Sequence, residues 1–111
     1  MSELPIGNID KPPENVVLHN PTVFAGWAAH ASGIQAVAIY VDGHYLTKAD
    51  LDTKRPDVQA AHPQYSNSMI AGWDVVAFLD GITPGQHLFT VKLRSNAGPQ
   101  RDYSFKAVVA R

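Results

Sequence analysis

The stretch Ile34-Gln35-Ala36-Val37-Ala38-Ile39-Tyr40-Val41-Asp42-Gly43-His44-Tyr45-Leu46-Thr47-Lys48 decides the fold class. Val37, Ile39 and Val41 share one face of an extended chain, and Ala36, Ala38 and Tyr40 share the other. A period of two favours a strand over a helix. Asp42-Gly43 then supplies a two-residue turn. A type I′ turn needs positive φ at both central residues, which Asp tolerates and Gly adopts freely. His44 to Lys48 can return as the partner strand, so this stretch reads as a β-hairpin.

The same alternation continues on both sides. In Thr22-Val23-Phe24-Ala25-Gly26-Trp27-Ala28, the reading puts Val23, Ala25 and Trp27 together on the core face. Trp73, Val75, Ala77 and Leu79 share a face, with Val76 and Phe78 opposite. His87, Phe89, Val91 and Leu93 form another inward row, and Tyr103, Phe105, Ala107 and Val109 a last one. Asn20-Pro21, Ser32-Gly33, Asp80-Gly81, Pro84-Gly85 and Asn96-Ala97-Gly98-Pro99 punctuate these runs as turns. About seven short strands at this spacing predict an all-β, antiparallel sandwich. Residues 1–13, with Pro12-Pro13, read as an extended N-terminal segment, a linker or an edge.

One stretch breaks the alternation. Residues 54–63, Lys54-Arg55-Pro56-Asp57-Val58-Gln59-Ala60-Ala61-His62-Pro63, read as a short helical insert. Pro56 suits the first helical position and Asp57 the positive end of the helix dipole. Pro63 ends it. Val58 and Ala61, three apart, would pack inward and plug an end or edge of the sandwich.

With 111 residues, the chain has the length of one domain. Nine Lys+Arg against ten Asp+Glu leave a net charge of -1, which argues against a nucleic-acid partner. Cysteine is absent, so there is no disulfide framework and no thiolate chemistry. No apolar run approaches the length of a membrane span, so membrane insertion is not expected. Met1 to Asp10, with Glu3 and Asp10, does not read as a signal peptide. An extracellular or cell-envelope location follows only if the chain is part of a larger exported protein.

The ordered set Val23-Phe24-Ala25-Gly26-Trp27-Ala28, Ser32-Gly33-Ile34, Val37-Ala38-Ile39-Tyr40-Val41-Asp42-Gly43, Arg55-Pro56-Asp57-Val58, Ala61-His62-Pro63, Gly72-Trp73, Leu79-Asp80 and Pro84-Gly85-Gln86-His87 resembles bacterial immunoglobulin-like modules of surface, secreted and polysaccharide-associated proteins. It covers residues 6–109. The sequence departs from that pattern at Arg94-Ser95-Asn96, where an aspartate is frequent, and at His62-Pro63, where Tyr-Pro is frequent. The resemblance implies an immunoglobulin-like antiparallel β-sandwich that acts as a non-catalytic accessory, spacer or interaction module, with a protein, a cell-surface glycan or neighbouring domains of a larger protein as candidate partners and no cofactor.

The residues point the same way. His19, His30, His44, His62 and His87 show no ligand spacing for zinc, so no metal site is expected. His87, just after Pro84-Gly85, is expected to fix the turn through a ring N–H bond. Asp50, Asp52 and Asp57 lack the loop that calcium requires. Ser32, Ser66, Ser68, Ser95 and Ser104 sit in no nucleophile-elbow motif, and no catalytic residue is assigned. Trp27, Phe89, Tyr103 and Trp73 read as core. Tyr40, Tyr45, Tyr65 and Phe78 are left between a sheet covering and a platform for sugar rings. Loops on a rigid scaffold tend to carry binding residues. The candidate contact surface is therefore the insert and its neighbours: Tyr45, Arg55, Asp57, His62 and Tyr65.

Overall fold

A computed structural model describes residues 4–13, 16–65 and 71–110. The elements run β1 (Ile6–Lys11), β2 (Val17–Leu18), β3 (Thr22–Ala29), β4 (Ile34–Val41), β5 (His44–Lys48), β6 (Asp50–Thr53), α1 (Pro56–Ala61), β7 (Gly72–Ala77), β8 (Gly85–Ser95) and β9 (Gln100–Val109). One sheet has the order β1-β3-β7-β6 and the other β2-β9-β8-β4-β5. These orders match the two layers of an immunoglobulin-type sandwich, A-B-E-D for β1-β3-β7-β6 and G-F-C for β9-β8-β4, with β5 added as a C′ strand and β2 as an outer strand beside β9. Pairing is antiparallel except between β2 and β9.

The central hairpin forms as its residues dictate. Asp42 has φ 49° and Gly43 φ 83°, both in the left-handed region. Tyr40 pairs with Tyr45 and Val41 with His44 across that turn. Val37, Ile39, Phe89, Val91 and Leu93 bring the inner face of the five-stranded sheet into the core. Phe24 and Trp73 meet them from the other sheet. Phe24 lies 5.7 Å from Phe89 between ring centroids, and Phe89 lies 5.6 Å from Phe105. That aromatic cluster joins the layers, with centroid spacings typical of favourable ring pairs.

The phase of β3 corrects the sequence reading. Phe24, Gly26 and Ala28 face the core, while Val23, Ala25 and Trp27 face outward. The cause is the cross-strand pair Gly26–Trp73. A Cβ on Gly26 would stand 2.8 Å from Trp73 Cζ2, so the missing side chain makes room for the buried indole. A one-residue slip would put Phe24 in water and a second indole beside the first. Tyr103 is half-buried and packs against the core rather than within it.

Two further expectations change. There are nine strands among the described residues rather than about seven, because the chain ahead of Thr22 supplies β1 and β2 and the stretch ahead of the helix supplies β6. β1 pairs with β3 from Ile6–Ala29 to Lys11–Ala25. The helix is shorter than 54–63, spanning Pro56–Ala61. Val58 is buried beneath it, but Ala61 is exposed. One turn and a half of helix resting on a flat sheet face can direct only a narrow stripe inward.

Candidate functional site

The insert lies over the outer face of the four-stranded sheet, not in an open end of the sandwich. Gly72 pairs with Trp27 on that face. A Cβ on Gly72 would stand 2.9 Å from Arg55 Cγ and 2.8 Å from Thr53 Cβ, so glycine there admits the arginine stem. Arg55 Nε and Nη2 donate to the two Asp57 carboxylate oxygens at 3.0 and 2.8 Å, and Nη1 donates to Asp10 Oδ2 at 2.7 Å. The planar guanidinium thus ties the first turn of α1 to the edge strand β1. Hydrogen bonding to Asp57 holds Arg55 well above its ordinary pKa, and Arg55 holds the Asp57 carboxyl below its own.

Beyond the helix, the His62 ring lies 5.3 Å from Trp27 and 5.8 Å from Tyr65. All three are half-buried against one another. They form a small second core that covers Trp27. Arg55 and Asp57 thus pair ahead of and within the first turn of α1, while His62 and Tyr65 follow it and cover Trp27, and both sets of contacts fasten the insert.

Tyr45 stands apart from them. Its register beside the Asp42-Gly43 turn carries it to the other sheet and the other end of the sandwich. There it is 61% exposed and meets the Tyr40 ring edge-on at 5.7 Å. Lys92 Nζ lies 4.4 Å from the Tyr40 centroid. Tyr45 flanks a groove of about 380 Å³ lined also by Leu46, Ile82, His44, Asp42 and Asp80.

His87 braces that groove. Its Nε2 lies 2.7 Å from the Thr83 carbonyl oxygen and its Nδ1 2.5 Å from Asp42 Oδ2. Thr83 Oγ1 also lies 3.3 Å from Nε2, so the ring bridges Asp42 and Thr83 through its two nitrogens. The hydrogen bond to Asp42 raises the His87 pKa, and the same bond lowers that of Asp42. Asp42 Oδ1 also accepts the Leu88 N–H at 2.9 Å. This is the turn-fixing ring bond expected of His87.

The other candidate residues resolve as follows. Ser32 Oγ lies 2.8 Å from His30 Nδ1 and accepts the Ala97 N–H at 3.0 Å, tying together the loops 30–33 and 96–99. Ser95 Oγ donates to the Pro99 carbonyl. Ser66, Ser68, residues 1–3 and the side chain of Asp52 lie outside the described residues. Among the described residues, no group of three His, Cys, Asp or Glu side chains is arranged to hold a metal. No helix among them is long and apolar enough to cross a membrane.

One feature of the surface was not found from sequence. Val23 and Val76 are cross-strand partners on the outer face of the four-stranded sheet, and Phe78 continues their row. They are 44%, 54% and 63% exposed. Alternation alone turns Val76 and Phe78 outward but leaves the phase of Val23 open, because both faces of β3 carry apolar residues.

An all-β sandwich with immunoglobulin-type strand order is the class these observations define. Solved structures share it. The chain superposes on an endo-beta-1,4-mannanase from Thermotoga petrophila with TM-score 0.68 and 10% identity, over 98% of this chain and 20% of the mannanase chain. It superposes on the fibronectin(III)-like modules of CbhA from Clostridium thermocellum with TM-score 0.54 and 13% identity, over 94% of this chain and 45% of that one. A mutant of the SrpA adhesin from Streptococcus sanguinis gives TM-score 0.51 and 11% identity, over 97% and 59%. The chain thus spans about one fifth of the mannanase and under half of the CbhA modules. At these identities the likeness is one of fold. No protein-family profile and no curated protein sequence matches.

Proposed function

We propose that this chain is a non-catalytic accessory module of a larger bacterial protein and makes protein–protein contacts. The observation that carries the reading is the exposed row Val23, Val76 and Phe78. Val23 and Val76, paired across the sheet, and Phe78, just beyond the end of β7, leave three large apolar side chains in water, and such patches mark contact surfaces. Trp27, on the same face, is already covered by the insert, so the row is the uncovered remainder of that face. The sharing of this fold by segments of an adhesin and of a polysaccharide-degrading enzyme is in keeping with the reading. The test compares the wild-type chain with Val76→Ser/Phe78→Ser in binding to the neighbouring domains encoded with it. Loss of binding in the double variant, with unchanged folding, supports the assignment. Unchanged binding refutes it.

A second reading is carbohydrate binding, favoured by Tyr45 beside its groove. An exposed tyrosine face suits the apolar side of a sugar ring, and Asp42, Asp80 and His44 supply polar groups at the rim. Titration of the isotope-labelled chain with oligosaccharides and cell-wall fragments tests it. Amide shifts around Tyr45 that vanish in Tyr45→Ala support it, and their absence with every glycan removes it.

A further inference from the structure

We infer that the outer face of the four-stranded sheet docks a protein partner that presents an apolar side chain flanked by lysine or arginine. This rests on the contact-module reading above and names the chemistry of the partner. Three features of one face lead there. The first is the apolar row Val23, Val76 and Phe78. The second is the pair Asp50 and Asp74, directly opposite each other across β6 and β7. Asp74 also pairs with Ala25, so the two carboxylates stand on the same face as the valines. The third is a depression of about 200 Å³ lined by Val23, Asp50, Asp74, Val75 and Val76, where the apolar and acidic parts meet.

Like charges directly opposite in a sheet are destabilising. Among the described residues, no Lys, Arg or His forms an ion pair with either carboxylate. A cation from outside would relieve the repulsion and gain two partners, while the depression accepts an apolar group beside it. Charge complementarity of this kind sets specificity and association rate. It also argues against a second copy of this chain as the occupant. Two such faces brought together about a twofold axis would confront four carboxylates.

The test is a selection of short random displayed peptides on the immobilised wild-type chain. Peptides that also bind the Val76→Ser/Phe78→Ser variant are discarded. The expected survivors combine Leu, Phe or Trp with Lys or Arg. Their affinity should fall about tenfold in Asp50→Asn/Asp74→Asn, the loss of a well-placed charge interaction. It should also weaken as salt rises from roughly 50 to 500 mM, where exposed charges are screened. The same Asp50→Asn/Asp74→Asn chain should show a denaturant midpoint raised above the wild type, since repulsion is removed. That readout does not depend on any partner. Survivors without cations, or survivors whose affinity is indifferent to the Asn pair, overturn the inference but leave the apolar contact standing. Absence of survivors overturns both. A lowered midpoint in the Asn variant removes the repulsion argument. Concentration-dependent dimerisation abolished by Phe78→Ser would assign the face to a second copy instead and likewise overturn the inference.

Discussion

His87 and Asp42 form an ion pair 45 residues apart in sequence, with the ring held between the Asp42 carboxylate and the Thr83 carbonyl oxygen. The pair couples the β4–β5 hairpin to the loop that leads into β8. The second carboxylate oxygen, Asp42 Oδ1, accepts the Leu88 N–H at 2.9 Å.

This pair makes stability depend on pH at both ends. The His87 pKa is raised above 6.5 in the folded chain. Its contribution is fully present below 6.5 and is lost as pH rises through the raised folded value. The Asp42 pKa is lowered below 3.8. Its contribution is present above 3.8 and is lost as pH falls through the lowered folded value. Both operate together between 3.8 and 6.5. The gap in denaturant midpoint between the wild type and His87→Gln should be widest in that window and should close as pH climbs above it. An NMR titration should place the His87 ring above 6.5; a ring that titrates at or below that value would contradict the stabilising bond to Asp42.

The two tryptophans should respond very differently to truncation. Trp73 is 1% exposed and packs over Gly26 in the core, so Trp73→Ala should cost about 3–5 kcal/mol in urea unfolding. Trp27 lies on the outer face beneath His62, and Trp27→Ala should cost roughly 1–2 kcal/mol, the range of a partly covered surface aromatic. Trp73→Phe should fall well below Trp73→Ala. The buried Trp73 Nε1–H has no acceptor among the described residues, so phenylalanine keeps most of the packing and removes an unmet donor. Equal losses for the two alanine variants would mean that the phase of β3 is reversed.

Gly26 and Gly43 test two separate reasons for glycine. At Gly26 a Cβ would fall 2.1 Å from the Asn8 carbonyl oxygen, so Gly26→Ala must push β1 away and should cost about 1–3 kcal/mol or more. At Gly43 a Cβ would meet nothing within 4 Å, and only the φ of +83° resists substitution. Gly43→Val should therefore cost about 1–2 kcal/mol, the left-handed penalty, while Gly43→Asn should cost less. Equal midpoints for the Val and Asn variants would show that the turn relaxes to another type.

What the sequence determined by itself was the local pattern. Period-two alternation placed the inward rows of β4, β7, β8 and β9, because only one face of each of those strands is strongly apolar. Asp42-Gly43 fixed its own turn, because no other dipeptide conformation is as cheap there. Pro56 and Asp57 marked the start of the short helix and Pro63 its end, because proline tolerates the first helical position and cannot continue a helix. Tertiary structure decided the rest. Both faces of β3 are apolar, so its phase was set by the space that Trp73 needs over Gly26. Tyr45 was carried away from the insert by strand register, a relation among residues far apart in the chain. The Val23–Val76–Phe78 row and the Asp50–Asp74 pair exist only once β3, β6 and β7 lie side by side, because cross-strand neighbours leave no periodic mark in any one strand.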